Sequence, residues 1–196
     1  MYFRNATFGF INIFFLILFS QIAYCELFSN LRGSKSPETV NELDVSKYLG
    51  NWYQIYGAPT NVIFQGYGKC LTAQYGLLEN GDVSVLNSQI NSNNKLEQIS
   101  GYGYYTNTSE PGKLTVHLDG VPADSPYWVV RLGEVIHDQY QYSIISVPSG
   151  ISLWVITRDV DNFYKKYDTE VKQYLDANNF KYESITQDET CEYFFK

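Results

Sequence analysis

The sequence is short of histidine, of positive charge and of cysteine, and each shortage excludes a class of function. Two histidines, His117 and His137, occur in 196 residues. They fall on a strand-like and a loop-like segment with no Cys/His cluster between them, so no metal site is expected. His117 shares parity with Thr115, opposite Val116 and Leu118, and reads as solvent-facing. No Ser/His/Asp or Cys/His arrangement can be traced. No glycine-rich loop precedes a helix to cradle a phosphate. The carboxylates are scattered over turns and the C-terminal segment, as on a solvated surface. The chain therefore reads as a binder without a cofactor and not as an enzyme. Lys and Arg number 14 against 21 Asp and Glu, a net charge of −7. Nucleic-acid binding needs a basic footprint, and none is present.

Three cysteines are awkward for an exported chain. Residues 1–25 nevertheless read as a secretory signal peptide: Arg4 is its one charge, Phe8 to Phe19 is almost wholly apolar, and Ala23-Tyr24-Cys25 offers a cleavage site. The apolar stretch is short for a membrane span and contains Asn12. Loss of Arg4 with this segment takes the charge from −7 to −8. If Cys25 leaves with it, Cys70 and Cys191 remain as the natural disulfide of a secreted, extracellular protein. Asn107-Thr108-Ser109 is a glycosylation sequon in a turn-like context.

Residues 26–44 show no clear period and read as an N-terminal arm. The domain proper is expected over residues 45–196. Val45 to Leu49 can form one helical turn stopped by Gly50. Strands then follow at short intervals: Trp52–Ala58, Cys70–Leu78, Val83–Leu86, Leu96–Tyr105, Lys113–Leu118, Tyr127–Leu132, Tyr140–Val147 and Ile151–Arg158. Asn80-Gly81 suits a type I′ hairpin turn. Lys113–Leu118 alternates strictly, with Leu114, Val116 and Leu118 on one face. Eight hairpin-linked strands close readily into an all-β, antiparallel up-and-down barrel, which removes exposed edges. An immunoglobulin-like sandwich would want its cysteines on facing strands, and Cys191 lies beyond the last one. From Asp161 to Asn178, Tyr164, Tyr167, Val171, Tyr174 and Leu175 recur at helical spacing, predicting one C-terminal helix capped by Asp159 or Asp161 and packed outside the barrel.

Gly50-x-Trp52 at the start and Arg158 at the end of the eighth strand carry a family resemblance. With Gly-Asn-Trp-Tyr-Gln-Ile (50–55), Cys-Leu-Thr-Ala-Gln-Tyr (70–75), Ser-Glu-Pro-Gly-Lys-Leu-Thr-Val (109–116), Tyr-Trp-Val-Val (127–130) and Ser-Leu-Trp-Val-Ile-Thr-Arg (152–158), the chain resembles the lipocalin family. It is most similar there to the apolipoprotein D-like branch, which has bacterial and plant relatives. A family Thr-Asp-Tyr motif is met only by the aspartate of His137-Asp138-Gln139. The resemblance implies secreted carriers of sterols, fatty acids, retinoids or related hydrophobic molecules, some of which protect lipids from oxidation.

Parity places Trp154 and Ile156 inside with Arg158. Trp128 and Val130, opposite charged Arg131, are placed inside too. Tyr75, Trp128, Tyr142 and Trp154 are therefore the expected ligand-binding residues of an apolar calyx. Gly50, Trp52 and Arg158 are expected to close the barrel floor without touching ligand. Val62-Ile63-Phe64 is an apolar triplet expected at the open mouth, as a lid or as a transient membrane or partner contact. Two alternatives stay open: an enzyme acting on a lipid or isoprenoid, and a packed barrel whose loops bind a protein.

Overall fold

The computed structural model describes residues 36–188 and Cys191. The signal-like segment 1–25 and residues 26–35 of the arm lie outside the described residues.

The element order is α1 (Val45–Tyr48), β1 (Gly50–Gly57), a 3-10 turn (Pro59–Asn61), α2 (Val62–Gln65), β2 (Gly68–Leu77), β3 (Val83–Asn91), β4 (Leu96–Tyr104), β5 (Lys113–Leu118) and β6 (Ser125–Leu132). A two-stranded ribbon follows, β7 (Val135–Ile136) with β8 (Gln139–Tyr140). Then come β9 (Tyr142–Ser146), β10 (Leu153–Thr157), α3 (Val160–Lys166), α4 (Asp168–Ala177) and β11 (Glu183–Ser184). The eight main strands, β1 to β6 with β9 and β10, pair antiparallel in chain order. β10 returns to β1 through Gln54↔Ile156 and Gly57↔Trp154, which closes the barrel.

Alternation along each strand splits the apolar side chains into two cores. Trp52, Tyr75, Val85, Leu114, Val129, Ile145 and Ile156 fill the barrel. Ile55, Tyr142, Ile144, Val155, Phe163, Tyr167, Val171 and Leu175 form a second core between wall and helices. Neighbours such as Ile144 and Ile145 thus serve opposite cores.

The single helix expected over 161–178 is two, bent at Tyr167. Asp159 is the N-cap, its carboxylate accepting from Asn162 N at 2.9 Å. Hydrogen bonds run through the bend, from Tyr167 N to Phe163 O and from Val171 N to Tyr167 O, so one apolar stripe is kept. At the bend Tyr167 stays buried 5.3 Å from the Tyr142 ring, and Asp168 accepts from Tyr56 Oη at 2.5 Å.

The β2–β3 turn also differs from expectation. Gly81 alone takes positive φ, Gly81 N donates to Leu78 O, and Leu78 N donates to Asp82 O, giving a three-residue loop. The turn with two successive positive φ values is His137-Asp138, joining β7 to β8.

The tail runs back as anticipated. Ser184 pairs with Tyr56, Cys70 N donates to Thr186 O, and Cys70 is bonded to Cys191 across 121 residues. Residues 36–44 cross the closed end, where Val40 N donates to Val129 O at 2.9 Å. A Cβ at Gly112 would stand 2.7 Å from Val40 O, so only glycine admits this approach.

Candidate functional site: the barrel interior

The closed end is built on three residues. Gly50 has φ +96°, and a Cβ there would meet Arg158 Nη1 at 3.3 Å. Arg158 lies over the fully buried Trp52 ring, 3.6 Å from its centroid. Its guanidinium donates to five carbonyls: Tyr140 O, Asn51 O, Lys47 O, Tyr48 O and Leu49 O. Trp52 Nε1 donates to Tyr48 O at 2.8 Å. Burial pulls the Arg158 pKa down to about 10, since carbonyl dipoles rather than a carboxylate hold its charge. All three guanidinium nitrogens donate to backbone carbonyls, and this holds α1 to the barrel.

Above it lies a floor of tyrosines. Tyr48, carried inward by α1, stacks on Tyr75 at 5.7 Å and lies 5.0 Å from Trp52. Its hydroxyl donates to Ser143 Oγ at 2.8 Å. Tyr127 Oη lies 2.9 Å from Tyr48 Oη and 3.1 Å from Tyr75 Oη. Each hydroxyl has one proton. Since Tyr48 gives its proton to Ser143, Tyr127 must donate to Tyr48, and Tyr75 to Tyr127. The chain of donors therefore points away from Tyr75, whose oxygen keeps accepting capacity. Burial raises all three pKa values, that of Tyr75 to about 12, so the floor is neutral. The apolar cavity beneath, lined by Leu43, Val45, Tyr75, Val83, Leu114 and Tyr127, holds about 30 Å³.

The upper half is different. Asn87 pairs with Ala73 and Ile99, Leu118 with Gly101, and Trp154 with Ile145 and Gly57, so all four side chains share the inward face. Yet Asn87, Ile99, Leu118 and Trp154 are only half-buried, whereas Tyr75, Val85, Leu114 and Ile156 below them are buried. Solvent thus reaches these upper side chains, while most of those below are packed. Gly101, facing this space, would bring a Cβ 2.0 Å from His117 O, so the wall there carries no side chain. At the rim, Phe64 sits 6.0 Å from Trp154 and Ile63 is 83% exposed. Gln89 Nε2 donates to Gln65 O and to Glu97 Oε2, and Asn91 Nδ2 to Glu97 Oε1. These donors lower the Glu97 pKa, so the rim carries a carboxylate.

The expected ligand residues divide. Tyr75 and Trp154 face inward. Trp128 and Tyr142 do not, and this corrects the sequence reading. Trp128 lies outside beneath Lys113 Nζ, 4.7 Å from the ring centroid. A bulge between Val129 and Arg131 turns both Val130 and Arg131 outward, so parity counted from Arg131 inverts β6. Tyr127, passed over in the sequence, is the inward residue. Tyr142 faces the helices: its hydroxyl accepts from Arg131 Nε at 3.1 Å and donates to Glu170 Oε1 at 2.8 Å. Inward positions on β9 are Ser143 and Ile145.

His117 faces outward, stacked 5.0 Å from Tyr102 with Nδ1 2.8 Å from Asp124. Among the described residues, the one cluster of three groups spaced for a metal is Cys70, Asp188 and Cys191, and its two sulfurs are bonded to each other.

Residues 43–185 match the profile described as a lipocalin-like domain. The chain belongs to the lipocalin family. This lipocalin is 32% identical over 160 residues to apolipoprotein D of Oryctolagus cuniculus, covering 77% of this chain and 79% of that one. It is 40% identical over 95 residues to apolipoprotein D of Rattus norvegicus, a stretch spanning 48% of this chain and about half (49%) of the rat protein. Among solved structures, the allergen Per a 4 from cockroaches shares the lipocalin fold, with a TM-score of 0.56 and 21% identity, covering 82% of this chain and 99% of that one.

Proposed function

We propose that this lipocalin is a secreted carrier that binds a small hydrophobic molecule in the upper half of its barrel. The observation that carries the reading is the contrast between half-buried inward side chains above and buried ones below. Space in the barrel begins where Asn87, Ile99, Leu118 and Trp154 line it and ends at the Tyr75–Tyr127 hydroxyls. An apolar body fits the walls, and the tyrosines offer the few polar anchors such sites use. The floor cavity of about 30 Å³ is too small for the body of a sterol or retinoid, which supports a site above it. Phe64 and Ile63 act as the lid, because Phe64 already meets Trp154 at the rim.

Secretion is supported by the leader-like segment 1–25, by the Cys70–Cys191 disulfide and by an exposed sequon. Asn107 stands on a turn where Ser109 N donates to its Oδ1, and the side chain is open to modification. Transport of a bound lipid, or its protection from oxidation, follows from enclosure.

The test is titration of the folded, delipidated protein with a retinoid, a sterol and a long-chain alcohol, read by tryptophan fluorescence. Saturable quenching with at least one class is expected. Flat titrations with all three, alongside a native circular-dichroism spectrum, contradict the reading.

A further inference from the structure

We infer that the barrel selects ligands whose polar end is uncharged, a hydroxyl or carbonyl, over the corresponding carboxylates. This rests on the carrier reading and narrows its ligand class.

Among the described residues, the walls and floor place no cationic side chain in the space. From β1 to β10 the described inward positions are apolar, hydroxyl or amide residues, such as Gln54, Tyr75, Asn87, Tyr127 and Trp154, and none of them is basic. Arg158 stacks behind Trp52 and donates to five backbone carbonyls. A carboxylate driven to the floor would meet three neutral phenols, and the one cation among the described residues whose charge reaches them, Arg158, already has its guanidinium on backbone carbonyls. Burying an ion without a partner is among the costliest events in a protein interior. A ligand hydroxyl faces no such cost, since Tyr75 Oη can accept its proton at the end of the hydroxyl chain. A ligand carbonyl can be served by Tyr75, which turns its one proton from Tyr127 to the ligand at the cost of one neutral hydrogen bond.

Turned round, an anion would lie at the rim beside another carboxylate. The rim carries Glu97, fixed as a carboxylate by Gln89 and Asn91. Like charges there disfavour a second carboxylate. The discrimination therefore lies chiefly at the floor, since an exposed rim carboxylate is screened by water and salt.

The experiment compares matched pairs that share one apolar body: retinol with retinoate, and hexadecanol with palmitate, at pH 7.4. The alcohols are expected to bind at least about tenfold more tightly. Palmitate should gain affinity as pH falls towards the ordinary carboxylic pKa of about 4.3, because the neutral acid resembles the alcohol. Tyr75→Phe should weaken the alcohols about threefold to tenfold and leave the acids unchanged. Asn87→Lys places a cation in the half-buried upper wall, where its stem can reach solvent, and should narrow or reverse the preference. Equal or tighter binding of the acids by the unmodified protein overturns the inference and leaves the carrier reading standing. Failure of both members of every pair overturns both.

Discussion

The Arg158 guanidinium lies 3.6 Å from the centroid of the buried Trp52 ring and donates to the carbonyls that end α1. One side chain thus ties the last barrel strand to the first helix through the first strand's tryptophan. Trp52→Ala is expected to cost about 3–5 kcal/mol, through lost burial and the cavity left behind. Arg158→Met keeps much of the packing but removes the guanidinium bonds to five carbonyls, of which Tyr48 O keeps Trp52 Nε1, with an expected loss of about 3 kcal/mol. Urea unfolding of both variants checks this.

Reduction of the Cys70–Cys191 bond opens a loop of 121 residues. The chain-entropy treatment gives about 4–5 kcal/mol for a loop that long, and the measured loss is expected at about 2–5 kcal/mol. Thermal unfolding with and without a reductant shows it as a lowered Tm. The β11 and Gln187 contacts on β1 and β2 should loosen first, because Cys191 anchors them.

High pH should unfold the protein through its tyrosines. Burial raises the Tyr75 and Tyr142 pKa values to about 12 each, and pushes Tyr48 and Tyr127 up as well. The folded state thus favours the protonated phenols more than the unfolded chain does. That contribution is complete below the unfolded pKa of about 10 and is lost as pH rises through about 12. Phenolate absorbance should therefore rise cooperatively with loss of structure in that window. Independent ionisation of every tyrosine near pH 10 would contradict the buried floor.

Tyr142→Phe and Trp128→Phe should leave ligand affinity unchanged. Tyr142 bridges Arg131 and Glu170 on the outer wall, so its loss should cost about 1 kcal/mol of stability only. A fall in affinity with either variant would mean that the wall assignment is wrong.

The barrel was legible in the sequence because its signals are local. The strands, Gly50-x-Trp52, Arg158 and the helical period each announce themselves within a few residues, and alternation on β5 placed Leu114, Val116 and Leu118 on the inward face. The interior was half legible. Tyr75 and Trp154 lie on strands whose inward parity survives, whereas Trp128 lies just before a bulge that turns two consecutive residues outward. A bulge has no sequence mark here, and one residue of register reverses a strand. Tyr48 and Leu43 were missed for another reason. They precede the first strand, and only the closed three-dimensional arrangement carries them under the floor. Ser143, with no apolar signal of its own, enters only as the acceptor for Tyr48.

The central claim is that ligand occupies the upper barrel beside Trp154, and the three tryptophans make it measurable. Trp52 is sealed beneath Arg158, Trp128 lies on the outer wall, and Trp154 lines the open space. Retinol titration of Trp154→Phe, Trp128→Phe and the unmodified protein separates them. Contact quenching should disappear in Trp154→Phe and persist in Trp128→Phe. Quenching that survives in Trp154→Phe and disappears in Trp128→Phe would place the ligand outside the barrel and contradict the account.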